Sequence, residues 1–113
     1  MKEYLLIFRG NSNPELMNSP EKLQAHMGKW KVWVEELAKA GKFVGSQPLQ
    51  PTGKVMEGSN VTDGPFAEGK EIISGYLIIK ANDYNDAVQT SKGCPALSMV
   101  HTAEVREIQE MVM

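Results

Sequence analysis

Ile72-Ile73-Ser74-Gly75-Tyr76-Leu77-Ile78-Ile79-Lys80 is the stretch on which the reading of this chain turns. It is nine residues long, bounded by charge, and rich in β-branched and aromatic residues, which marks a strand. Side chains alternate between the two faces of a strand. Here both faces are apolar, so the strand belongs at the centre of a sheet with cover on both sides. Gly75 interrupts the run. A glycine inside a strand predicts a bulge or a close approach by neighbouring backbone.

A second stretch has the same character. In residues 2–9, Tyr4, Leu6 and Phe8 share one face, and Leu5 and Ile7 share the other. This too predicts a central strand. Between the two lies a helix signal. Ser19 can cap, Pro20 suits the first helical position, and Glu21 favours the positive end of the helix dipole. The helix is expected to run to residue 39 or 40 and to stop at Gly41. Its apolar seam reads Leu23, Met27, Trp30, Val34 and Leu37, spaced by three and four. Lys42 to Gln47 reads as a strand. Lys54-Val55-Met56 and Asn60-Val61-Thr62 flank a turn and read as a small hairpin. Beyond the long strand, Asp83 caps a short helix whose inward face is Tyr84, Ala87, Val88 and Ser91. Gly93 and Pro95 end that helix, and residues 102–109 form an edge strand.

The order is β-α-β, an inserted hairpin, then β-α-β. This is the α+β, ferredoxin-like plan, in which the first and third main strands are central. Two helices cover only one face of a four-stranded sheet. The other face, apolar in both central strands, then needs a partner, and a homodimer through the sheet face is expected.

Composition narrows the function classes. The chain has 113 residues, a net charge of −2 and a single cysteine, Cys94. One domain over 1–113 is expected. A slightly acidic chain is a poor general partner for nucleic acid or an anionic membrane. One cysteine fits a reducing compartment, and the apolar run at the N-terminus is too short for a secretory leader, so a cytoplasmic location is expected. Neither a metal-ligand spacing nor a phosphate-binding loop is present in the sequence, so no metal or cofactor is expected.

The candidate site residues come from two places. Asp63-Gly64-Pro65-Phe66-Ala67-Glu68-Gly69-Lys70-Glu71 packs a carboxylate, a forced turn, an aromatic residue and three charges into one loop. Phe66 is expected to anchor that loop. At about 100° per residue, His26 falls at the edge of the helix seam, between Trp30 and Trp33. It reads either as a boundary histidine bonded to a carbonyl or as a general acid or base. Trp33 is the better pocket wall of the two tryptophans. Arg9, at a strand end, reads as a solvated rim charge or an anion contact. Cys94 reads as a small structural residue.

The run from Asp63 to Glu68, with Lys70-Glu71 and Ser74-Gly75-Tyr76, resembles the signature of the YCII-related proteins, and within them the branch marked by the Asp-Gly-Pro-Phe motif. The likeness spans nearly the whole chain, with Gly69 standing where relatives commonly carry Thr. The resemblance implies a dimeric, barrel-type α+β fold. It implies a His–Asp pair for catalysis or binding, at positions matched here by His26 and Asp63. It also implies a lyase acting on small molecules, or a non-catalytic accessory module working alongside sigma-factor-type regulators. Phe66, Trp33 and Arg9 are expected to contact the ligand.

Overall fold

The structure is a computed structural model, and it describes residues 1–10, 18–67 and 71–111. Glu68, Gly69 and Lys70 of the candidate loop, with residues 11–17 and 112–113, lie outside the described residues.

The main sheet has four strands in the order β2-β5-β1-β6. These are β1 (Lys2–Arg9), β2 (Phe43–Pro48), β5 (Ile73–Ala81) and β6 (Thr102–Glu107). The two strands apolar on both faces, β1 and β5, are the central pair, and every pairing is antiparallel. Among the described residues, two helices, α1 (Pro20–Lys39) and α2 (Tyr84–Ser91), and a 3-10 turn at Pro95–Ser98 complete the main body. The inserted hairpin is β3 (Gly53–Glu57) and β4 (Asn60–Gly64), a separate two-stranded sheet. The fold is α+β and ferredoxin-like, as the pattern of elements predicts.

The core lies between the sheet and the helices. Tyr4, Leu6 and Phe8 of β1 and Leu77, Ile79 and Ala81 of β5 are buried there with Leu37, Ala87, Cys94 and Ala96. The opposite face carries Leu5, Ile7, Tyr76 and Ile78, all half-buried in the chain alone. Neither helix lies on that face, and the chain forms a slab of 46 × 44 × 19 Å.

Gly75 shows both features expected of it. The β1–β5 register shifts from Phe8 opposite Gly75 to Arg9 opposite Ile73, leaving Ser74 in a bulge. A Cβ at Gly75 would also stand 3.0 Å from the Gln47 carbonyl oxygen. Helix α1 starts on Ser19, whose hydroxyl accepts from the Lys22 N–H at 3.3 Å. It stops where Gly41 turns left-handed, with φ at 72°. There the Gly41 N–H donates to the Ala38 carbonyl and the Lys42 N–H to that of Leu37, the two bonds of a Schellman ending.

The seam of α1 differs from the expected one. Met27 is 57% exposed, while His26 and Leu37 are the buried residues of the helix. The buried stripe runs through His26, Trp30, Trp33 and Leu37, turned by about 50° from the apolar seam at 100° per residue. The two indoles explain the turn, since their burial outweighs that of the flexible Met27 chain. In α2, Ala87 and Ser91 are buried but Tyr84 and Val88 are not, so its inward face is narrower than expected. Tyr84 packs edge-on against Tyr4 at 5.1 Å, and its hydroxyl accepts from the Glu107 N–H at 2.8 Å.

Candidate functional site

His26 is the most unusual side chain in the body of the molecule. It is 6% exposed, and its Nε2 is buried without a hydrogen-bond partner. A buried polar atom left unpaired costs free energy, so such atoms are uncommon. Burial, and then the nearby Lys29 ammonium, hold its imidazolium below the ordinary histidine range. The ring is therefore neutral at neutral pH and can accept or donate one proton at a time.

The space beside it is a groove of about 770 Å³ between α1 and the Gly93–Ser98 segment. His26, Trp33 and Cys94 line its floor and walls, with Val32, Pro95 and Leu97 adding apolar surface and Lys29 and Glu36 adding charge. Trp33 is set in two ways. Its ring meets Trp30 edge-to-face at 5.9 Å. On the other side Gly93 abuts the indole so closely that a Cβ there would stand 2.9 Å from Nε1. Cys94 is 3% exposed, and burial pushes its thiol up to about 11. It contributes shape rather than a nucleophile.

The five residues singled out from the sequence fall into three places. His26 and Trp33 share the groove. Arg9 and Phe66 share a second cavity of about 510 Å³ at the root of the hairpin, with Gln50, Thr52, Pro65 and Ile73. Asp63 lines neither. It stands on β4, its side chain 89% exposed, and pairs with Lys54 directly across the hairpin. Within one chain, then, no hydrogen bond joins His26 to Asp63, because the hairpin projects from the body that holds α1. Phe66 is also placed differently from expectation. It is 91% exposed, so it is not buried as an anchor among the described residues. Arg9 is already engaged, its Nη1 donating to Glu104 Oε1 at 2.6 Å across β1 and β6. Arg9 and Arg106 together hold the Glu104 carboxyl below the usual carboxylate range.

The sequence reading did not assign Lys29, Val32, Gly93, Pro95 or Leu97 to the site. Lys29 had a signal, since residues three apart on a helix are neighbours. The Gly93–Leu97 segment had none, because only the tertiary fold lays it beside α1. Among the described residues, no group of three or more His, Cys, Asp or Glu side chains could hold a metal ion. No helix among them is long and apolar enough to cross a membrane.

The YCII-related domain family matches residues 3–112. No curated protein matches the chain in sequence. Among solved structures, the chain is similar to 5-chloro-2-hydroxyhydroquinone dehydrochlorinase from Burkholderia phenoliruptrix AC1100 in complex with 2,5-dihydroxybenzoquinone. That likeness has a TM-score of 0.53 at 16% identity, and it covers 96% of this chain and 95% of the other. At that identity it is a likeness of fold.

Proposed function

The chain belongs to the YCII-related family, and from that premise we propose that it binds and transforms a small, partly apolar molecule in the His26 groove, with the neutral imidazole as acid or base. The observation that carries this reading is the unpartnered, buried His26 Nε2 beside an apolar groove. A catalytic or ligand-binding role is one of the reasons a protein leaves such an atom unpaired. Trp33 is the wall against which a flat molecule would lie. The similar fold of a dehydrochlorinase supports a lyase-type reaction. In such an elimination the imidazole takes a proton from the substrate as chloride departs, so HCl is lost overall.

Turnover and binding separate experimentally. Incubation with chlorinated hydroxyhydroquinones, monitored for chloride release, should give turnover that His26→Gln abolishes and Trp33→Ala weakens mainly through KM. Binding of 2,5-dihydroxybenzoquinone by wild-type protein without chloride release would leave a metabolite-binding module, alongside sigma-factor-type regulators or otherwise. The missing bond between His26 and a carboxylate favours that second reading, since among the described residues none is seen to orient the imidazole as an Asp would.

Asp63-Gly64-Pro65-Phe66 places the chain, in our reading, in the branch that bears this motif. Asp63 is retained as a candidate through one test. If it acts on His26 in the working protein, Asp63→Asn lowers the His26 titration midpoint in NMR, and an unmoved midpoint removes it from the site. Arg9 and Phe66 are assigned to the cavity at the hairpin root, as ligand contacts separate from the groove. We further propose that two copies pack open sheet face to open sheet face, and that the protein works in the cytoplasm, in keeping with its single buried thiol.

A further inference from the structure

The groove between α1 and the Gly93–Ser98 segment is lined by two charges as well as an imidazole. Lys29 and Glu36 both face it from α1. Neither joins an ion pair among the described residues, whereas Arg9, Lys42, Lys54 and Arg106 each do. Lys29 lies three residues after His26 and four before Trp33, so on the helix surface it is a neighbour of both.

This placement runs against the needs of a base. A negative neighbour, such as a carboxylate, strengthens an imidazole as a proton acceptor. Here the neighbour is an ammonium, and with burial it holds the imidazolium down. The other titratable groups that line the groove do not reverse this. Cys94, on the facing segment, is kept protonated by burial. Glu36 lies ten residues beyond His26, about 15 Å along the helix. One end of the groove therefore presents a cation, a buried imidazole nitrogen without a partner and a flat indole. That set suits a planar group bearing negative charge.

We propose that Lys29 is the specificity-determining residue of this groove, selecting a planar ligand that carries a negatively charged oxygen on its ring, a phenolate or enolate, and setting that oxygen beside His26. This rests on the ligand-binding reading of the groove and deepens it by naming the charge the ligand carries. The bound anion supplies the negative neighbour that is not seen at His26 among the described residues. It offsets the Lys29 ammonium and favours the protonated imidazole. His26 thus becomes a stronger base once the ligand is in place, and stays a weak one in the free protein. Glu36 repels negative charge at the far end, so the anionic edge of the ligand lies toward Lys29.

The test is calorimetric titration of the full chain at neutral pH with two probes. One is 2,5-dihydroxybenzoquinone, whose acidic enols are ionised at that pH. The other is its dimethyl ether, which has the same ring and no charge. Wild type is compared with Lys29→Gln and Lys29→Arg. Residue 29 is exposed, so circular dichroism should show an unchanged fold in both variants. Wild type is expected to prefer the anion. Lys29→Gln should weaken anion binding about tenfold or more, the scale of a charge-assisted hydrogen bond. It should leave binding of the ether unchanged, and Lys29→Arg should keep the preference. In NMR, the His26 titration midpoint should rise when the anion binds wild type, and should rise in free Lys29→Gln as well. Equal anion binding by wild type and Lys29→Gln overturns the role of Lys29 and leaves the groove reading standing. Anion binding that leaves the His26 midpoint unmoved also overturns it, by placing the anion away from the imidazole. If neither probe binds wild type, with tryptophan emission and His26 resonances unchanged, the groove reading falls and this inference with it.

Discussion

At the scale of the residue, two positions carry the argument. His26 is buried and unpaired, and burial with Lys29 depresses its protonation. The folded state then binds fewer protons than the unfolded chain between the depressed value and the unfolded value of about 6.5. Stability is full above that pH and is lost as the pH falls through the window. Thermal melts from pH 7.5 to pH 5 should show this loss, and His26→Gln should flatten it. A ligand that accepts from or donates to Nε2 should move the same midpoint. Gly93 is the second residue. Gly93→Ala sets a methyl group against the Trp33 indole and should cost about 1–3 kcal/mol by overpacking. Guanidinium melts monitored by tryptophan fluorescence would measure both the loss of stability and the displaced ring. The sequence marked His26 at the edge of the seam but did not show that its Nε2 would be buried and unpaired, and it held no sign of the Gly93 contact. Position 93 read as a helix terminator, and the contact that requires glycine there comes from a residue sixty positions away.

At the scale of the element, α1 shows how far a pattern reaches. Its start at Ser19–Pro20 and its stop at Gly41 are local signals, and the structure follows both. Its orientation about its own axis is a compromise among side chains that only packing settles. Met27 completes the apolar seam on paper but stays exposed, while His26 goes in. The consequence is a contrast between two substitutions on one helix. Met27→Lys should change stability by less than about 0.5 kcal/mol, as surface changes usually do. Leu37→Ala should cost about 2–5 kcal/mol through transfer and cavity terms. Urea titration of the two variants decides it, and comparable losses in both would contradict the observed rotation.

At the scale of the whole molecule, the slab has one face covered by helices and one face that no helix among the described residues covers. Leu5, Ile7, Tyr76 and Ile78 are the centre of that second face. If two copies meet there, Ile7→Lys should convert dimer to monomer while leaving the far-UV spectrum unchanged. Light scattering coupled to size exclusion would report it, and an unchanged dimer would place the interface elsewhere. The same change should leave the His26 groove intact, since His26 lies on the helix side of the sheet. A monomeric variant that still binds ligand would show that the groove is complete within one chain.

The sequence by itself determined the elements, their order and the central position of β1 and β5. Those properties follow from alternation, capping and turn chemistry within a few residues of each position. It also marked His26, Trp33, Arg9, Asp63 and Phe66 as worth watching. What it did not determine is which of them meet. Tertiary structure decided that His26 and Trp33 face the Gly93–Leu97 segment, that Arg9 and Phe66 share another cavity, and that Asp63 pairs with Lys54 on a projecting arm. The physical reason is that a site is made of residues distant in sequence. Their meeting depends on how helices rotate and where an inserted hairpin points, and both are set by the packing of the whole.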